Sequence, residues 1–126
     1  IIIKNNAKFD YMYIDDLTRI VKWFILNQPT HNVYNVCTGK SFDLKFIAKK
    51  ILKISSKDLK IIINNSFDNN QKGDHSLLLS LGKEYSGDNS MLLSELGNFK
   101  FTSIVQSINE LYNWYHLNQD LLNEVN

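Results

Sequence analysis

Cysteine, proline and arginine are each present once in 126 residues. With Cys37 alone, an internal disulfide is excluded, and such sparse cysteine points to a reducing, cytoplasmic compartment. Fourteen Lys and Arg stand against thirteen Asp and Glu, for a net charge of +1. Of those cations only Arg19 is an arginine, and no basic cluster forms. Binding of nucleic acid wants a concentrated, Arg-rich basic face, so this balance argues against a nucleic-acid partner. Long apolar runs are also missing: Ile61–Ile63 and Leu77–Leu79 are typical of the longest, far short of a bilayer span, and no membrane partner is expected. The opening Ile1-Ile2-Ile3-Lys4-Asn5-Asn6 is too short an apolar stretch for a secretory signal and carries no initiating Met. It reads as a cut inside a larger protein, and a fragment is the expectation.

Recognisable reaction chemistry is scarce as well. His31, His75 and His116 lie far apart, with no His-x3-His or Cys-x2-Cys spacing, so no metal site is expected. Gly39, Gly73, Gly82, Gly87 and Gly97 build neither G-x-G-x-x-G nor a P-loop, which removes any phosphate cradle. A Tyr-x3-Lys pair, in which lysine lowers the phenol pKa, is also absent: the residues four places after the six tyrosines are Asp15, Leu17, Thr38, Asn89, His116 and Gln119. Cys37, in a run expected to be buried, reads as a small apolar residue and not as a nucleophile. The chain as it stands lacks a catalytic set.

What remains is ordinary globular material, 44% hydrophobic, 12% aromatic and 21% charged, enough for one domain with one core. Tyr11–Ile14 is β-prone and predicts a short strand. Behind it Leu17, Ile20, Val21, Phe24 and Ile25 recur at i, i+3, i+4, i+7 and i+8, an amphipathic helix capped by Asp15 or Asp16 and stopped before Pro29. Asn32–Cys37, closed by Thr38-Gly39, predicts a strand. Ser41 or Asp43 then caps a helix with Leu44, Ile47, Ala48, Ile51 and Leu52 on one face, and Leu59–Ile63 predicts the next strand. From Asn64 to Asn70 the composition turns polar and Lys72-Gly73-Asp74 adds turn chemistry, the longest irregular stretch, with Leu77–Leu79 inside it needing cover; Glu84-Tyr85-Ser86 reads as a short extended piece. A brief helix starts at Asp88, Asn89 or Ser90 and ends at Leu96, with Gly97 as its left-handed cap. Thr102 or Ser103 opens the last helix, through Ile104, Val105, Ile108, Leu111, Tyr112 and Tyr115. Alternating strands and helices predict the α/β class.

Four segments resemble one family in register. Phe9–Leu17 resembles the "R-D-F-x-Y-V-D-D" segment of extended short-chain dehydrogenase/reductases, the NAD(P)-dependent epimerases and dehydratases of nucleotide sugars. Val33–Ser41 resembles their "Y-N-V-G-S-G" strand and turn. Glu84–Gly97 resembles "Y-x-x-D-x-S-K-x-x-x-E-L-G", and Thr102–Tyr115 resembles the closing "T-S-L-x-x-G-I" helix that ends in "W-Y". Together they cover nearly the whole chain.

The resemblance implies that residues 1–126 are the C-terminal, substrate-binding portion of such an enzyme: the last part of a Rossmann-like sheet with its small lobe. The glycine-rich turn, the NAD or NADP site and the Tyr-x3-Lys pair would lie in an upstream part, as would the helices through which family members often form homodimers. The implied partner is a nucleotide sugar, in cell-surface polysaccharide synthesis, and the residues implied to bind it are Lys8, Phe9, Lys72, Lys83 and Tyr85. The pattern also departs from the family. Phe9 replaces an arginine aimed at the pyrophosphate, Gln71-Lys72-Gly73-Asp74 replaces "R-x-G-D", and Cys37 replaces a glycine. Lysine clamps a phosphate less well than arginine. Lys72 and Lys83 are open to either reading, substitute clamps or solvated surface lysines; Tyr85 is open to stacking on a base or sugar or to a half-buried strand position. A self-contained, non-catalytic α/β binding module and a reductase or decarboxylase of the same superfamily are the alternatives.

Overall fold

A computed structural model describes residues 1–4, 6–63 and 84–120. The expected α/β class is borne out. In chain order the elements are β1 (Ile2–Ile3), β2 (Lys8–Asp10), α1 (Ile14–Leu26), β3 (Ser41–Asp43), α2 (Leu44–Ser55), β4 (Ile62–Ile63), β5 (Glu84–Tyr85), α3 (Ser90–Leu96) and α4 (Ile104–Leu117). Two small sheets result. β1 and β4 pair in parallel, Ile2 with Ile62 and Ile3 with Ile63. β2 is the centre of a mixed sheet, antiparallel to β3 and parallel to β5.

The helices form where periodicity places them, while their caps differ in part. Asp43 caps α2, accepting the Phe46 N–H at 2.6 Å, and Ser103 caps α4 through the Gln106 N–H at 3.3 Å. Neither Asp15 nor Asp16 caps α1: Tyr13 holds that position, with no side-chain cap bond. Asp16 is instead 1% exposed and reaches across the fold, accepting from the Thr102 N–H at 2.7 Å and Thr102 Oγ1 at 3.0 Å, with Arg19 Nη1 at 3.1 Å. Gly97 ends α3 at φ +63°, but its ψ of −117° is not that of a left-handed helical cap.

Strands depart further from expectation. The strand leading into α1 is β2, at Lys8–Asp10, upstream of the β-prone Tyr11–Ile14, because β3 and β5 supply partners there and Ile14 already belongs to α1. Asn32–Cys37 enters no ladder among the described residues. Side chains hold it in place instead: Tyr34 Oη donates to Glu95 at 2.7 Å, Asn35 Nδ2 to the Asp88 carbonyl at 3.3 Å, and Asn89 Nδ2 to the Cys37 carbonyl at 3.0 Å. Among the described residues, the buried apolar ones are Ile3, Ala7, Ile20, Ala48, Leu92 and Ile108, with α2 packed against α4. No helix among the described residues is long and apolar enough to cross a membrane.

Candidate functional site

Alternation along the strands sorts the side chains of the β3-β2-β5 sheet onto two faces. Phe9 pairs with Phe42 on one side and with Tyr85 on the other, so these three rings share a face. The Phe9 and Tyr85 rings stack, with centroids 5.0 Å apart and planes 6° from parallel; Tyr11 meets Phe9 edge-on at 6.3 Å. Beside the stacked pair lies an open hollow of about 460 Å³, bordered by Phe9, Asp10, Glu84, Tyr85, Ser86 and Gly87. Across the sheet, Lys8 Nζ stands 3.6 Å from Glu84 Oε2, and Ser41 Oγ donates to the same carboxylate. The Ser41 bond and, after it, the Lys8 charge hold the Glu84 carboxyl below the usual range.

Two of the five implied binding residues, Phe9 and Tyr85, are thus brought together on one face of the sheet, while Lys8, paired with Glu84, lies on the other face. Lys8 is not an isolated cation there, because Glu84 offsets its charge. Lys72 and Lys83 lie outside the described residues. A larger groove of about 680 Å³, bordered by Tyr11, Lys40, Phe42, Phe99, Lys100 and Phe101 among others, was not indicated by the sequence.

The hollow is shaped by contacts that local spacing does not reveal. The Asp10 carboxylate accepts the Thr38 N–H at 3.1 Å, Thr38 Oγ1 at 2.5 Å and the Gly39 N–H at 2.8 Å, pinning the Thr38-Gly39 turn to the end of β2. Gly39 adopts φ +74°, where glycine is at ease. Gly87 is required for a different reason: a Cβ there would stand 2.6 Å from Cys37 Sγ and 3.3 Å from Cys37 Cβ. Three of the four family-like segments, around Asp10, around Cys37 and around Gly87, therefore meet at this point, and the fourth joins through Asp16 and Thr102.

The groups in this neighbourhood suit binding more than bond-making. Burial, followed by the nearby Asp10 charge, pushes the Cys37 thiol up, the wrong direction for a nucleophile. Burial, followed by the bond to Glu95, likewise raises the Tyr34 phenol. Cys37 is half-buried, less enclosed than its expected strand would have made it. Among the described residues no group of three or more His, Cys, Asp or Glu can hold a metal ion. The described glycines do not fit a dinucleotide either: Gly39 faces the Asn89 side chain, Gly87 lies against Cys37, and Gly97 ends a helix. A planar, partly apolar ligand with hydrogen-bonding edges is what a stacked aromatic pair beside an open hollow can hold.

Comparison with known proteins adds a fold. No family model matches the chain, and no curated protein does. A solved structure of RMD from Pseudomonas aeruginosa, complexed with NADPH, is similar with a TM-score of 0.65 at 15% sequence identity, over 86% of this chain. The match takes up 32% of the RMD chain, so this chain spans about a third of that protein's length.

Proposed function

We propose that the chain is the substrate-binding portion of a cytoplasmic, NAD(P)-dependent nucleotide-sugar epimerase or dehydratase, with the nucleotide sugar held at the Phe9–Tyr85 face. The observation that carries this reading is the stacked Phe9–Tyr85 pair beside its hollow, built where three family-like segments converge. In this reading Lys72 and Lys83 supply cations for the diphosphate, while Lys8, balanced by Glu84, lies on the other face of the sheet. The cofactor and the acid/base pair belong to the upstream part of the enzyme, so this chain binds without turning over.

Calorimetric titration with UDP-glucose, GDP-mannose and dTDP-glucose tests the reading. One of them is expected to bind, with Tyr85→Ala or Phe9→Ala weakening it about tenfold, the scale of one aromatic stacking contact. No binding by any of the three, or dehydrogenase or epimerase turnover by this chain alone, overturns it. A reductase of the same superfamily is the second reading, favoured by one observation: the similar RMD structure is complexed with NADPH. Net NADPH consumption by the whole enzyme separates the two, since an epimerase or dehydratase returns its hydride. The self-contained binding module fares worse, because so much apolar surface is uncovered.

A further inference from the structure

Lysine is spread along the sequence but not over the folded surface. Between Leu44 and Lys57 stand Lys45, Lys49, Lys50, Lys53 and Lys57, with no acidic residue among them. The whole chain has a net charge of only +1, so the rest of it is net acidic. Apolar residues interrupt these cations in the sequence, and the helical turn gathers them. Lys45, Lys49 and Lys53 stack at i, i+4 and i+8 on α2, with Lys50 bordering the row. The opposite side of α2 carries buried Ala48 and packs against α4. Lys45, Lys49, Lys53 and Lys57 are exposed; Lys50 is half-buried, its Nζ 5.1 Å from the centroid of the Phe46 ring. Helix stability does not account for the row. Like charges four residues apart repel, and Lys45 sits in the first turn, where the helix dipole favours an acid. Among the described residues none of these lysines has an ion-pair partner: the pairs there are Lys8 with Glu84 and Arg19 with Asp16. Asp43, just before the row, is engaged in capping α2 at the Phe46 N–H.

We propose that the lysine row of α2 is a docking face for an anionic, phosphate-bearing lipid surface, adsorbed at the level of the headgroups without insertion. Charge complementarity calls for a polyanion, and the residue type selects which. Nucleic-acid recognition favours arginine, and protein interfaces are enriched in arginine and depleted of lysine. A headgroup layer takes lysine as readily as arginine, because each acts there as a point charge in a diffuse field. Lys50 also keeps its ammonium over the Phe46 ring, as lysines at an interface cover an apolar body while the charge stays at the surface. The expectation of no membrane partner came from the lack of a spanning run. Adsorption needs no span, so a peripheral contact takes the place of that expectation. Sugar-nucleotide binding at Phe9 and Tyr85 is read by a separate titration, and either can fail alone.

Co-sedimentation of the 126-residue chain with vesicles at about 0.1 M salt tests the proposal. Vesicles of phosphatidylcholine with about one-third phosphatidylglycerol are expected to bind it, and vesicles of phosphatidylcholine alone are not. Raising the salt to about 0.5 M is expected to release the chain. Lys49→Gln and Lys53→Gln are each expected to weaken binding about fivefold, the scale of one lysine at an anionic surface, whereas Lys22→Gln on α1 leaves it unchanged. Each α2 change removes a like-charge repulsion, and unchanged circular dichroism confirms that the variants are folded. Four results overturn the proposal: no binding to the anionic vesicles, equal binding to both kinds of vesicle, binding indifferent to Lys49→Gln and Lys53→Gln, or displacement from the vesicles by oligo-dT or polyglutamate at matched charge. The last would assign the row to a nucleic acid or an acidic protein.

Discussion

At the scale of single residues, Gly87 and Cys37 form a coupled pair. The missing Cβ of Gly87 is occupied space, with the sulfur of Cys37 in it. Gly87→Ala forces either the sulfur or the backbone to move, at a cost of about 1–3 kcal/mol, the usual penalty of overpacking. Removing the sulfur relieves the clash, so Cys37→Ala combined with Gly87→Ala is expected to lose less stability than the two single changes summed. Urea unfolding of the four chains measures the coupling, and strict additivity would show that the contact is not tight. Neither partner was legible as such in the sequence, where the pair is fifty positions apart and a lone cysteine reads simply as a small apolar residue. Asp10 is similar: its three bonds to Thr38 and Gly39 follow from where β2 ends, which no local spacing reveals.

At the scale of elements, helices were legible throughout and strands only in part: β4 falls within the expected Leu59–Ile63 and β5 within the expected Glu84–Ser86, while β1, β2 and β3 were not foreseen. One physical reason accounts for the difference. A helix is specified by its own i, i+3, i+4 pattern, and α1, α2, α3 and α4 lie where that pattern puts them. Strands of two or three residues are specified by distant partners: β1 pairs with β4 some sixty residues on, and β2 with β5 across the loop-like stretch. The β-prone Tyr11–Ile14 and Asn32–Cys37 have suitable residues and no ladder among the described residues. Helix ends mix the two cases, since Asp43 and Ser103 cap locally while Asp16 and Thr102 are drawn into a bond with each other. One end is suboptimal. Ser56 closes α2 at φ +52° and ψ +27°, a left-handed conformation that strains any residue with a Cβ. Ser56→Gly removes that strain while gaining unfolded-state entropy, for a net stabilisation of about 0.5–1 kcal/mol and a Tm higher by about 2–4 °C. A Tm lowered by Ser56→Gly in thermal unfolding would assign the turn some other support.

At the scale of the whole molecule, six apolar residues are buried among the described residues, and polar links between distant segments add to the tertiary connection. Asp16 to Thr102 and Tyr34 to Glu95 are two; Tyr13 to Glu110 is a third, joining the start of α1 to the middle of α4. The phenol donates to the Glu110 carboxylate, and that bond, ahead of burial and of the Asp15 charge, pushes the Tyr13 pKa up to about 12. The sign of the linkage follows. A folded-state pKa raised above the unfolded value of about 10 contributes stability that is complete below that value. It is lost as pH rises from about 10 through about 12, because the unfolded chain releases the proton first. Subtracting the alkaline absorbance titration of Tyr13→Phe from that of the native chain is expected to isolate one phenol with its midpoint at about 12. Glu110→Gln removes the acceptor charge and brings that midpoint back toward the ordinary tyrosine range. The urea midpoint of the native chain is expected to fall across the same interval more steeply than that of Tyr13→Phe. A Tyr13 phenol that titrates at about 10 in the native chain would show that α1 and α4 are not joined there in solution, and the two ends of the fold would then depend on Asp16 and Thr102 for their polar connection.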